Sequence, residues 1–347
     1  MGNETGNDFA DYLIGAPDLF IQASDQFLDS RTKYGAAYAQ DSYKARSNLT
    51  LNYGLRWEVS QPFYDRKLYT LIWGLQSKVY PNAPTGYVVP GDPGVPKTLA
   101  PTRYNNFAPR VGVAYSPSVA DGWLGKIFGG PGKTSIRTAF GIYYNAIEDR
   151  TLFTEAGGAP FGLFWVSPTQ VYLEEPYKDR RRGQDPGQRF PWTIPPAGSN
   201  VDFSVFQPFS SAQAFKNNNV LPYAEHFNFS VQPEIRNSLV LSVGYVGERG
   251  HHLLGMNESN PGNPALCLQV RQILGPAEGC GPGGEDQIYD LGNGQFAYGT
   301  RPHSVTSGRY LSQGILDFGG LNDYIASFAN SNYNAFQVSV EKRVGSL

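Results

Sequence analysis

NLTLNYGLRWEV, residues 48–59, alternates without a break. Leu49, Leu51, Tyr53, Leu55, Trp57 and Val59 share one parity, and Asn48, Thr50, Asn52, Gly54, Arg56 and Glu58 share the other. Successive side chains of a strand point to opposite faces, so the stretch reads as a strand with one oily and one polar face. At helical spacing the same residues would scatter around the circumference.

The pattern recurs along the chain. Phe107, Pro109, Val111, Val113 and Tyr115 oppose Ala108, Arg110, Gly112 and Ala114; Ile136, Thr138, Phe140, Ile142 and Tyr144 oppose Ser135, Arg137, Ala139 and Gly141. Residues 226–232, 239–246 and 335–341 repeat it, and residues 34–43 follow it less cleanly, for about seven strands in all. Residues 9–28 can be placed only loosely.

Alternation alone suits a soluble sandwich as well as a membrane barrel. Three features favour the barrel. Connections alternate in length: 44–47 and 233–237 are short, whereas 61–105, 146–222 and 251–331 are very long. The connection 117–133 is long for a member of the short set. Aromatic residues gather at strand ends, with Trp57, Tyr144 and Tyr245 assigned to the long-loop end and Tyr115 to the short-turn end, as interfacial girdles require. The polar face carries Gly, Ala, Ser, Asn and Arg, which suits a wet or plugged lumen. The predicted fold is therefore all-β: an antiparallel transmembrane β-barrel segment with short periplasmic turns and long extracellular loops. Asn52, Arg56, Glu58, Arg110 and Arg137 are expected to face the lumen, since an arginine facing lipid at mid-depth costs about 2–4 kcal/mol.

Composition agrees with this reading. Charged residues make up 17% of the 347, below the soluble norm of about 25%. The 22 Tyr and 21 Phe favour strands, and 40 Gly with 26 Pro supply many turns. A net charge of −2 gives no electrostatic footprint for nucleic acid. The start, MGNETGNDFADYLIG, has neither a basic n-region nor an apolar h-region, so the export signal is expected upstream of it.

Motif chemistry is sparse. GGPGKTS (129–135) lacks the Gly that a phosphate loop needs, because Ile127 stands there, and a strand rather than a helix follows; it reads as a turn. His226, His251, His252 and His303 fit no metal-ligand spacing, and no nucleophile elbow exists, so no catalysis, metal or cofactor is assigned. Cys267 and Cys280, an even pair in one long loop, read as a disulfide of an exported protein, the alternative being two free thiols. KDRRRGQD (178–185) reads as a solvated loop tip or an anion contact. Phe161, Phe164, Trp165 and Trp192 could stack on a ligand or pack the loop's own core.

YGAAYAQDSYKARSNLTLNYGLRWE (34–58), NNFAPRVGVAYSP (105–117), GKTSIRTAFGIYYN (132–145), NSLVLSVGYVGERGHHL (237–253) and NYNAFQVSVEKR (332–343) together resemble Oar-like TonB-dependent receptors, in the family's order. The resemblance implies a large barrel around a plug domain, with import of a bulky ligand energised through TonB. Its partners would be outer-membrane lipid, the plug, the TonB system and a ligand such as an oligosaccharide or peptide. It also implies that residues 1–347 are a partial barrel, because no plug or TonB-contacting segment is recognisable. Two other readings stay open: a soluble all-β carbohydrate-binding module, and a passive porin or adhesin-like barrel.

Overall fold

The computed structural model describes residues 4–25, 29–98, 100–145, 158–167, 170–178, 187–210, 214–216, 218–236, 239–320 and 323–342. Its frame is a meander of seven long strands: β1 (Tyr34–Arg46), β2 (Leu49–Ser60), β3 (Asn106–Tyr115), β4 (Thr134–Tyr144), β5 (Tyr223–Arg236), β6 (Leu239–Glu258) and β7 (Asp323–Lys342). Each pairs antiparallel with the next. A two-residue strand, Ala214–Phe215, adds in parallel beside Tyr324 and Ile325. Among the described residues β1 has no partner on its other edge, so the sheet is open.

Register fixes the faces, because directly paired residues point the same way. One cross-strand row runs Leu51, Val113, Thr138, Phe229, Tyr245, Phe336, and the next runs Leu49, Tyr115, Ile136, Val231, Val243, Val338. This oily face is uncovered: Leu55 is 48% exposed, Phe229 49%, Phe336 71% and Val340 64%. A soluble sandwich buries such a face against a second sheet about 10 Å away, and no described element does so here.

The strands differ from the expected boundaries in several places, and β5 runs on to Arg236 through residues expected in the short turn 233–237. The first short turn is Ser47–Asn48, so Asn48 leaves the strand and its Nδ2 donates to the Ser116 carbonyl at 3.0 Å. β6 and β7 run on to Glu258 and start back at Asp323, where a loop over 251–331 was expected. Their outer thirds lie beyond the oily band and have no reason to alternate. For the same reason Tyr245 is not at a strand end; it lies seven residues into a 20-residue strand. A short helix, α1 (Asp8–Leu13), precedes the sheet, and the long connection at the short-turn end holds a second, α2 (Gly122–Phe128), which Gly129 closes in the left-handed region at φ 72°.

The long loops are folded, and some of their aromatic residues pack a core of their own. Nearly all the buried apolar residues lie in them rather than in the sheet. Tyr69, Leu71, Tyr80, Tyr87 and Val89 from the first loop pack with Ala159, Phe161, Val201, Phe203 and Phe209 from the second and Phe318 from the third. Tyr87 stacks on Tyr69 at 4.9 Å and on Phe209 at 4.6 Å. Two buried carboxylates pin the irregular backbone. Asp92 accepts from Ser77 Oγ and from the Lys78, Val79 and Val89 amides at 2.7–2.9 Å. Asp317 accepts from Gln207 Nε2 and from the Thr306, Ser307 and Gly308 amides at 2.6–3.0 Å. Backbone amides away from water need such acceptors.

The third loop carries its own unit. Cys267, in helix α3 (Pro264–Leu274), is bonded to Cys280 with Cα atoms 5.3 Å apart, and Val270 and Tyr289 pack around them. Arg301 ties this unit to the tip of β6, donating to Glu258 at 2.6 Å, Asp286 at 2.7 Å and the Asn260 carbonyl at 2.8 Å.

Candidate functional site

The polar face of the sheet gathers Asn52, Arg56, Glu58, Arg110 and Arg137 on neighbouring strands. The register places Glu58 opposite Asn106, Arg56 opposite Ala108, Asn52 opposite Gly112, Arg110 opposite Gly141 and Arg137 opposite Ala114. Small residues beside the arginines give the guanidinium groups room. A cavity of about 740 Å³ lies against the sheet, lined mainly by this face and including Arg56, Arg110, Tyr143 and His226.

Two clusters organise it. In the first, Arg56 Nε donates to Glu58 Oε2 at 2.8 Å, Tyr34 Oη donates to the same oxygen at 2.9 Å, and Arg56 Nη2 donates to Tyr34 Oη at 2.6 Å. Asn106 Nδ2 donates to the Glu58 carbonyl at 3.1 Å, fixing the strand beneath. In the second, the Arg110 guanidinium sits 4.4 Å from the Tyr143 ring centroid, a cation–π contact, and the His226 ring meets Tyr143 in a T-shaped arrangement with centroids 4.9 Å apart. A Cβ at Gly141 would stand 3.0 Å from the Tyr143 ring, so the ring packs close over this glycine. His226 Nδ1 lies 3.9 Å from Glu248 Oε2 on the next strand. Arg137 stands apart from both clusters and donates to Ser135 Oγ at 3.2 Å.

Tyr143, His226 and Glu248 were not singled out as site residues from the sequence. Tyr143 was readable, because it continues the parity of Arg137 and Gly141 by one step. The partnership of His226 with Glu248 needed the β5–β6 register, which pairs them directly.

The loop aromatics separate into different surroundings. Phe161 is buried in the shared loop core. Phe164 and Trp165 lie in a three-residue strand, Phe164–Val166, paired with Ile21–Ala23. Phe164 is 57% exposed on one side of that ribbon, and Trp165 turns to the other, 5.9 Å from the Tyr177 ring. Trp192 donates its Nε1–H to the Pro160 carbonyl at 2.9 Å and lines a second cavity, of about 770 Å³, in the loop assembly. Residues 179–185 of the basic run lie outside the described residues. Among the described residues no group of three His, Cys, Asp or Glu is placed to hold a metal ion.

An open antiparallel meander with an uncovered oily face, a polar face rich in arginine and turns that alternate short and long is the architecture of an outer-membrane barrel wall. Residues 1–346 match the family described as outer membrane beta barrel domain, and the chain belongs to that family. Its place is the cell outer membrane. A search of curated proteins returned no match.

Proposed function

We propose that this sheet is part of the barrel wall of a TonB-dependent receptor of the Oar-like kind, taking up a bulky ligand across the outer membrane. In this reading the polar face lines the lumen, the short turns are periplasmic, and the folded loop assembly meets the ligand outside the cell. One observation carries it: the polar face sets Arg56, Arg110 and Arg137 on neighbouring strands, behind an oily face that no described element covers. A narrow barrel packs its interior with wall residues, whereas a wide one encloses a channel or a plug. A plug domain would supply the acceptors that Arg110 and Arg137 face. The sheet's open edges support the partial-barrel reading, since lipid does not tolerate unpaired strand edges and further strands must close the wall.

The test is ligand uptake by cells carrying the full-length gene, with and without TonB. Accumulation that stops when TonB is deleted, while surface binding persists, supports the receptor. Uptake indifferent to TonB would promote the passive porin instead.

A further inference from the structure

The connection 117–133 is longer than a turn needs, and its extra length folds into α2. The sequence of α2, GWLGKIF, carries one charge, Lys126, and apolar or small residues everywhere else. Residues four apart in a helix share a face. Leu124 and Phe128 form one such pair and are half-buried, with Gly125 buried beside them. Trp123 and Ile127 form another, and they are 71% and 56% exposed. A helix that is apolar nearly all round belongs in apolar surroundings. Here the protein supplies them on one side only.

The helix is held at both ends. A Cβ at Gly125 would stand 2.4 Å from the Ala120 carbonyl oxygen, so the chain before the helix folds tightly against it. At the other end Thr134 Oγ1 donates to the Phe128 carbonyl at 2.7 Å, and the Glu234 amide donates to the Lys133 carbonyl at 2.7 Å. Thr134 also locates the helix. It has the parity of Ile136 and Thr138, one step nearer the short-turn end than the oily row of Leu49, Tyr115 and Ile136, and it is buried. The C-terminal end of α2 therefore lies over the oily side of the sheet, at the edge of its oily band. In an outer-membrane barrel that edge is where hydrocarbon gives way to headgroups, the level at which Trp is enriched. Charge agrees. Residues 117–133 hold one acid, Asp121, and two lysines. Lys133 is paired with Glu234 at 2.8 Å, whereas Lys126 is exposed on the side of the helix that Trp123 occupies, three residues away. An apolar face flanked by lysine is the pattern of a helix lying in a membrane interface.

We propose that α2 is an interfacial anchor. Its Trp123 and Ile127 face enters the phospholipid leaflet at the short-turn end, and Lys126 meets the headgroup phosphates. The proposal rests on the reading that the polar face lines the lumen and the short turns are periplasmic, which makes this the periplasmic leaflet. It does not need coupling to TonB.

The test uses the full-length protein, kept unreduced so that Cys267 and Cys280 stay bonded. It is reconstituted in vesicles of phosphatidylethanolamine and phosphatidylglycerol, and only protein with heat-dependent gel mobility is scored. Ile127→Cys carries an NBD fluorophore. Phosphatidylcholine spin-labelled near the top of its acyl chain should quench this label about twofold or more better than aqueous iodide does. The same label on Lys97→Cys, in the first long loop, should show the reverse order. Trp123→Phe decides the matter if Ile127→Cys does not fold: it should lose part of the intrinsic fluorescence quenching that brominated phosphatidylcholine produces in the native chain. A label at position 127 that iodide quenches lies in water, and one that neither agent reaches is covered by protein, whether a second copy or a periplasmic partner. Either outcome overturns the anchor, as does equal quenching of the native chain and Trp123→Phe. Uptake measured in parallel separates the two claims. Lipid quenching with TonB-independent uptake overturns the receptor alone, and TonB-dependent uptake with an iodide-quenched label overturns the anchor alone.

Discussion

Leu51 and Asn52 are neighbours in sequence that face opposite solvents. Leu51 lies in the oily row with Val113, and Asn52 pairs with Gly112 on the polar face. Leu51→Arg places a charge against hydrocarbon at a cost of about 2–4 kcal/mol near the midplane, whereas Asn52→Arg adds one more arginine to a face that holds several. Recovery of each variant in the outer membrane should fall sharply for the first and little for the second; equal recovery would reverse the face assignment. Buried Asp317 offers a second test at this scale. Removing its carboxylate as Asp317→Ala strands three backbone amides, and unsatisfied buried donors cost on the order of 1–3 kcal/mol each. Protease cutting within the third loop should rise, with the strands untouched. The faces of Leu51, Asn52, Arg56 and Arg110 were legible from parity, a local property. The role of Asp317 was not, because its donors come from residues 207 and 306–308 and nothing about an isolated Asp announces them.

Among the elements, the third loop has its own internal staple. The bond between Cys267 and Cys280 closes a short loop beside α3, and a crosslink of this size contributes about 3 kcal/mol in the chain-entropy model. Thiol labelling of folded, unreduced protein should modify neither cysteine; complete labelling would refute the bond. Cys280→Ser should loosen α3 and the hairpin Ile288–Gly292 with Gln295–Tyr298, read as faster hydrogen exchange there. His303 of the same loop stacks on Trp73 of the first loop at 3.9 Å, and burial lowers its pKa below the ordinary 6.5. The folded state therefore favours neutral imidazole. This contribution is complete above about pH 6.5, the unfolded value, and is lost as pH falls through the lower folded value. Protection of the amides around Trp73, taken relative to the intrinsic exchange rate at each pH, should fall as pH drops through the lowered folded value. His303→Gln should flatten that dependence, and an unchanged pH profile would remove His303 as its source.

At the scale of the whole molecule, two kinds of order meet. The sheet is held by ladder hydrogen bonds and leaves its oily face uncovered by any described element, whereas the loop assembly is held by an aromatic core shared among three loops. The protein in its native membrane should migrate differently on a gel before and after heating, because a closed barrel resists detergent; identical mobility would argue against closure. Digestion of intact cells with protease should spare the strands, and the buried loop core should protect most of residues 61–105 as well.

The sequence alone determined the seven long strands and, over their alternating stretches, which residues share each face, because a strand's two-residue period is written in adjacent side chains. It also exposed the arginines of the polar face and the cysteine pair. Only the tertiary structure decided that the long loops form a core, that Tyr143 meets both Arg110 and His226, and that residues 22–25 and 188–194 line one groove. Those contacts join segments far apart in the chain with no period to betray them. Their partners are chosen by packing in three dimensions, where an aromatic residue in a loop reads the same whether it meets another loop, a ligand or water.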